Sequence, residues 1–167
     1  SLDWNSTTTI THADSDGTSH LLTIGEVFRL EDLWQLALVG SSNTAIEALA
    51  RASGVPRADF IARMNAKASD LGMVSSVFVD STGLAAGNVG SGTDVTYLLR
   101  EVLRREKIVK SLQKTDYYAR PLGGVRLRAG YRAGQLIHQY QPQARGLCGE
   151  AVLLRRRRGR AAEAAAA

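Results

Sequence analysis

The sequence predicts an α/β fold, mainly helical behind a short β-rich entry, with a poorly ordered C-terminal tail. Three observations carry that expectation. The entry "WNSTTTITHADSDGTSHLLTIGEVFRL" is rich in Thr and β-branched residues and has no helical period. From Glu31 apolar residues recur at helical spacing, with Glu31 and Asp32 in the first turn, where the helix dipole favours anions. After Pro121 that periodicity stops and the chain turns Arg-, Gly- and Gln-rich.

The elements follow in order. A turn is expected at Asp14-Ser15-Asp16-Gly17, between short strands. Leu33, Leu36 and Ala37 mark the buried face of a first helix that Gly40 closes. Ile46, Leu49 and Ala50 mark a second, which ends at Gly54. Pro56 opens a third, since proline suits a first helical turn, with Phe60, Met64, Ala68 and Leu71 along its face and Gly72 as its stop. "VSSVFVD" reads as a strand or extended segment and "STGLAAGNVG" as a loop. Ser91-Gly92-Thr93-Asp94 has the form of a capping box. It leads a helix expected to turn Val95, Leu98, Leu99, Val102 and Leu103 inward, and a shorter helix follows to about Lys114. Met64, Leu71, Met73 and Phe78 are expected in the core.

The chain of 167 residues fits one domain or part of a larger one, and 44% hydrophobic residues suffice for a core. No apolar run approaches the roughly 18 residues of a spanning helix, and no signal peptide is visible after Ser1. The single Cys148 excludes an internal disulfide and a multi-Cys metal site. The net charge of +5 is unevenly placed. Residues 1–119 sum to −3, whereas residues 120–167, with ten Arg and only Glu150 and Glu163, sum to +8. The basic character therefore belongs to the tail. Arg155 to Arg158 could contact phosphates, but interleaved aromatics and a recognisable nucleic-acid motif are lacking, so no nucleic-acid partner is expected.

Between the first two helices stands "VGSSNTAIEALA", Val39 to Ala50. Ser41, Ser42 and Asn43 can be read as a helix cap, because their side-chain oxygens accept the free N–H groups of a first turn. They also form a Ser-x-Asn element, Ser41-Ser42-Asn43. The surrounding order decides between the two readings. It runs Gly25-x-x-Phe28-x-Leu30-Glu31-Asp32-Leu33, then Ser41-x-Asn43-x-Ala45. Next come Phe60-x-x-x-Met64-Asn65-x-x-Ala68-x-x-Leu71-Gly72-Met73, Phe78, Gly83-Leu84 and Ser91-x-x-Asp94.

From about Trp4 to Tyr118 this order resembles the D-alanyl-D-alanine carboxypeptidases, the low-molecular-weight penicillin-binding proteins that trim peptidoglycan. The resemblance implies part of a β-lactamase/transpeptidase-like fold and serine acyl transfer. In the family a Ser-x-x-Lys motif supplies the nucleophile. The Ser41 equivalent relays a proton to the leaving D-alanine amine, and the Asn43 equivalent holds the substrate carbonyl and the Lys. A Lys-Thr-Gly strand binds the terminal carboxylate. Ser41 and Asn43 are thus the expected catalytic residues. The implied partners are a stem peptide ending in D-Ala-D-Ala and, for a complete enzyme, β-lactams, with no cofactor and no metal. The resemblance also places the protein outside the cytoplasmic membrane.

This sequence departs from the family's pattern at two of the three motifs. No Ser-x-x-Lys precedes Ser41, and Ser111-Leu112-Gln113-Lys114 lies on the wrong side of it. Lys114-Thr115 is followed by Asp116, not Gly. The polypeptide alone is therefore expected to be inactive. The expected organisation is a partial catalytic domain over residues 1–120 and a basic low-complexity tail over 121–167. The tail reads as a disordered arm or as the product of a shifted reading frame. One base forward, codons for Ile137 to Gln143 can encode the Asn-x-Asn-x-Lys/Arg pattern that precedes Lys-Thr-Gly in the family. Two other readings stand beside the carboxypeptidase: a non-catalytic peptidoglycan-binding paralogue and a class A β-lactamase-like hydrolase. The hydrolase is disfavoured because no Glu-x-x-Leu-Asn follows Ser41.

Overall fold

The computed structural model of the chain describes residues 2–15, 22–124 and 127–130. Ser1–Gly130 forms one compact unit. The expected turn at Asp16-Gly17, the stretch Ile137 to Gln143, Cys148 and Arg155 to Arg158 all lie outside the described residues.

The β-rich entry is a pair of short antiparallel strands, β1 (Thr7–Thr9) and β2 (Val27–Arg29), with Thr8 opposite Phe28. Alternation along β2 turns Phe28 inward, where it is fully buried. Helix α1 (Leu30–Gly40) follows without a loop, and its buried Leu33, Leu36 and Ala37 are the positions that the helical period marks. Helix α2 (Asn43–Ala52) packs beside it, and a short 3-10 turn (His12–Asp14) packs against α2. The face that α2 buries is Thr44, Ala45 and Ala48, with Ile46 and Leu49 half-buried at the margin of the core. Small residues let α2 approach α1 closely.

Helix α3 (Arg57–Asp70) starts after Pro56, which occupies the N-cap rather than the first turn. Of the two readings of "VSSVFVD", the extended segment fits: a single antiparallel bridge joins Val77 to Val89 and no strand is formed. Side chains take the place of a ladder. Asn65 accepts from the Phe78 N–H at 2.8 Å and donates to the Phe78 carbonyl at 2.7 Å. The loop beyond is wound on Asp80, which accepts from the N–H groups of Thr82, Gly83 and Ala85 and from Asn88 Nδ2. Burial alone would raise the Asp80 carboxyl, but these donors hold it below its ordinary value.

The capping box is present. Ser91 Oγ accepts from the Asp94 N–H, and Asp94 also receives the Ser75 N–H and the Ser76 hydroxyl. Helix α4 (Gly92–Val102) follows, then α5 (Glu106–Leu112). Here the structure corrects the sequence reading: Val95, Leu98, Leu99 and Leu103 are 50%, 39%, 53% and 73% exposed. Met73 is buried as expected, while Met64, Leu71 and Phe78 are half-buried and line an open cavity.

A hairpin of β3 (Asp116–Ala119) and β4 (Leu127–Gly130) closes the unit, with Ala119 opposite Leu127. Ala119 and Ala129 join the core against α1, and the Leu122 N–H reaches the Val27 carbonyl at 2.8 Å. Strand β4 lies beyond the expected boundary at residue 120, so the packed structure runs further than the helical period indicates. Residues 131–167 lie outside the described residues.

Candidate active site

The Ser-x-Asn element sits where α1 passes into α2, and its three residues take three different roles. Ser42 is the N-cap of α2: its hydroxyl accepts from the Ala45 N–H at 3.2 Å and the side chain is buried. Ser41 follows the last turn of α1 in the left-handed conformation, φ 52° and ψ 39°, and its N–H returns to the Leu36 carbonyl. It is the only non-glycine with positive φ among the described residues, and it is exposed. A β-carbon in this conformation costs about 1–2 kcal/mol, which glycine would avoid. Asn43 is the first residue of α2 and is half-buried.

The cap reading and the catalytic reading therefore fall on different residues. Ser42 performs the capping, so the Ser41 hydroxyl is spared from that duty. The sequence offered three candidates for the cap; the backbone path selects one.

The junction is held from both sides. Arg51 on α2 donates to Asp14 through Nε and Nη2, both at 2.9 Å, and to the Thr9 carbonyl. Asp14 is fully buried and also accepts from the N–H and hydroxyl of Thr11. Burial would raise its carboxyl, but Arg51 and Thr11 keep it below the usual carboxylate range. Glu47 on α2 binds Arg57 and the Ser81 hydroxyl, both at 2.6 Å, which ties α2 to α3 and to the Asp80 loop. Apart from the local Thr11, these partners are not visible in the sequence, because the pairs are separated by ten to forty-two positions.

On the opposite side of α1, Glu31 pairs with Lys107 at 2.6 Å, and the Lys107 ammonium stacks over the Trp4 ring at 3.4 Å. The Trp4 and Trp34 rings meet edge-on. Burial would raise Glu31, whereas hydrogen bonds from Lys107 and Gln35 bring it below its ordinary value. The Tyr117 phenol is pushed up by burial and by its 2.7 Å hydrogen bond to Asp32. Ser111, the one serine with a lysine three residues on, is buried in α5; it accepts from Trp34 Nε1 and donates to the Lys107 carbonyl. It holds α5 to α1 and is not presented to a substrate. Among the described residues no group of three His, Cys, Asp or Glu could hold a metal ion.

Among the described residues the structure is thus a mixed α/β unit of five helices and two small antiparallel sheets, with an exposed serine at the α1–α2 junction. Comparison with known proteins gives the family. The D-alanyl-D-alanine carboxypeptidase profile matches residues 3–129, and the chain belongs to that family. It is 39% identical over 102 residues to the D-alanyl-D-alanine endopeptidase of Haemophilus influenzae, a match covering 59% of this chain and 35% of that protein. It is 31% identical over 111 residues to the D-alanyl-D-alanine carboxypeptidase DacF of Bacillus subtilis, covering 65% of this chain and 28% of that one. The chain therefore spans about a third of the length of these curated relatives. Its fold matches the D-alanyl-D-alanine carboxypeptidase of Mycobacterium tuberculosis with a TM-score of 0.68 at 23% identity, over 78% of this chain and 51% of that one.

Proposed function

We propose that Ser41 and Asn43 are the Ser-x-Asn element of a serine-type D-Ala-D-Ala carboxypeptidase that removes the terminal D-alanine of peptidoglycan stem peptides. The observation that carries this is the division of labour at the α1–α2 junction: Ser42 caps the helix, while Ser41 stands exposed in a strained backbone conformation. Strain of this kind in a non-glycine residue points towards a functional constraint. The Ser41 hydroxyl both donates and accepts, so it can pass a proton between a catalytic lysine and the departing amine. The Asn43 amide can hold the lysine and the substrate carbonyl. A completed enzyme would need a Ser-x-x-Lys and a Lys-Thr-Gly motif beside this element, and neither stands in these 167 residues in the family's order. Water then releases the acyl-enzyme. Work on peptidoglycan places the enzyme outside the cytoplasmic membrane, and β-lactams would acylate the completed form.

In a completed enzyme Ser41→Ala should lower kcat for D-alanine release by about 10²–10⁴-fold, the range for losing a proton-transfer partner. Unchanged turnover would remove Ser41 from the mechanism. The 39% identity to an endopeptidase supports a second reading, cleavage of cross-linked peptides at the same site. Offering the completed enzyme a linear D-Ala-D-Ala peptide and a cross-linked dimer separates the two by which product accumulates.

A further inference from the structure

Along the segment between helices α3 and α4 we infer that the protein carries a self-association surface, through which two copies of this chain pair about a twofold axis. The inference needs no role for Ser41. Between Asp70 and Asp94 the only charged side chain is Asp80, where the chain's overall 22% of charged residues would place about five. Asp80 itself is buried and engaged by its own loop. What the segment shows to solvent is aliphatic: Val74 is 91% exposed, and Val77, Val79, Leu84 and Val89 lie between 48% and 53%. Single exposed apolar residues need no explanation, but a charge-free stretch that carries five of them does. Depletion of charge is the compositional mark of an interface centre.

Three of the valines share one face. Val77 and Val89 exchange both N–H···O bonds, at 2.9 and 3.0 Å, which sets their side chains next to each other. Alternation puts Val79 on the same side, while Phe78 between them turns to the cavity beside α3. Gly87 lies against Val79, since a β-carbon there would come within 3.0 Å of it. The face is held in place by side chains behind it: Asn65 binds the Phe78 backbone, Asn88 accepts the Val79 N–H, and Asp94 accepts from Ser75 and Ser76. A surface fixed beforehand loses little freedom on binding.

The same features select the occupant. From Ser75 to Val79 every N–H already has an acceptor within the chain, so a phosphate or carboxylate finds no free backbone donor there. The segment's one aromatic, Phe78, is turned inward and cannot stack on a sugar or base, and no Lys or Arg stands in it to reach a lipid headgroup. The partner surface must therefore be aliphatic and uncharged. A second copy of this chain presents that chemistry, and a twofold axis sets the patch against its own image. With a net charge of +5 two copies repel on average, and a charge-free segment is where they meet at least cost.

The test sediments the full 167-residue chain to equilibrium over a range of concentrations. A monomer–dimer equilibrium with a Kd of about 10–100 μM is expected for a patch of this size. It should not weaken between about 0.1 and 0.5 M NaCl, because no charge is buried in it. Val77→Lys with Val89→Lys should raise Kd about 30-fold or more, by setting like charges across the axis. Val77→Thr, which keeps the shape, should raise it about threefold. Leu98→Glu on α4 and Leu122→Glu at the exposed hairpin turn should leave it within about twofold. Unchanged hydrogen exchange in α1 verifies that each variant is folded. A photo-crosslinking residue in place of Val77 should join two chains, with the attachment inside residues 74–89 of the second copy. The inference is overturned if the chain stays monomeric up to about 1 mM. It is overturned equally if salt dissolves the dimer, or if the valine changes leave it intact while Leu98→Glu abolishes it. A crosslink from position 77 to any part of its own chain, residues 131–167 included, would overturn it as well.

Discussion

Helices α1 and α4 are each eleven residues long and each carries an apolar stripe at helical spacing, yet they end in opposite environments. Leu33 and Leu36 of α1 are fully buried beneath Phe28, Ala45, Ala119 and Ala129. Leu98 and Leu99 of α4 meet solvent. An amphipathic pattern states which face avoids water; it does not state what covers that face. Around α1 the cover comes from this chain, in the form of β2, α2, α5 and the β3–β4 hairpin. At α4 the described residues supply no such cover. The region around α1 is therefore a finished core, whereas the α4 stripe stays open among the described residues.

The largest contrast should come from labelled penicillin. The chain as it stands should take up none covalently, because no Ser-x-x-Lys precedes Ser41 in this sequence. A stoichiometric mass shift on any residue would break the division between a finished core and an incomplete site.

Stability should then divide along the same line. Phe28→Ala, in the closed region, should cost about 3–5 kcal/mol in a denaturant titration. Leu99→Ala, in the open region, should stay within about 0.5 kcal/mol. Equal losses at the two positions would mean that α4 is covered after all.

Acid sharpens the comparison further, because the buried carboxylate that pins α2 lies in the closed region. The Asp14 carboxyl is held below its ordinary value of 3.8, so it stabilises the fold above that pH and this contribution fades as pH falls through the lower folded value. Asp14→Asn should therefore weaken the chain at pH 7 and flatten the loss of stability below about pH 4. An unaltered acid limb would show that Arg51 is not holding a charged partner.

The smallest effects concern the junction itself. Ser42→Ala should cost about 1 kcal/mol through loss of the cap. Ser41→Gly should instead stabilise by up to about 1 kcal/mol, since glycine relieves the left-handed strain. If Ser41 were the cap, the two signs would be exchanged.

Much of this was legible before any coordinates. Helical spacing located α1 through Leu33, Leu36 and Ala37, and the capping box located the start of α4 at Ser91 and Asp94. The order of motifs gave the family. The segment "VSSVFVD" left strand and extended segment open, because β-branched composition reports only that a residue suits a pleated surface. A strand also needs a neighbour, and here Asn65 satisfies the Phe78 backbone instead. Strand β4 was hidden for the opposite reason. Its Leu127 and Ala129 lie among arginines and glycines, and only pairing with β3 makes them part of the core.

By itself the sequence determined where helices begin, which faces they turn from water and which family's motifs are present, because these depend on residues a few positions apart. Only the tertiary structure decided which serine caps α2, which stripe is sealed and how Asp14 meets Arg51. Those outcomes depend on groups brought together from distant positions, and the free energy of burying or pairing a group exists only once its partner has arrived.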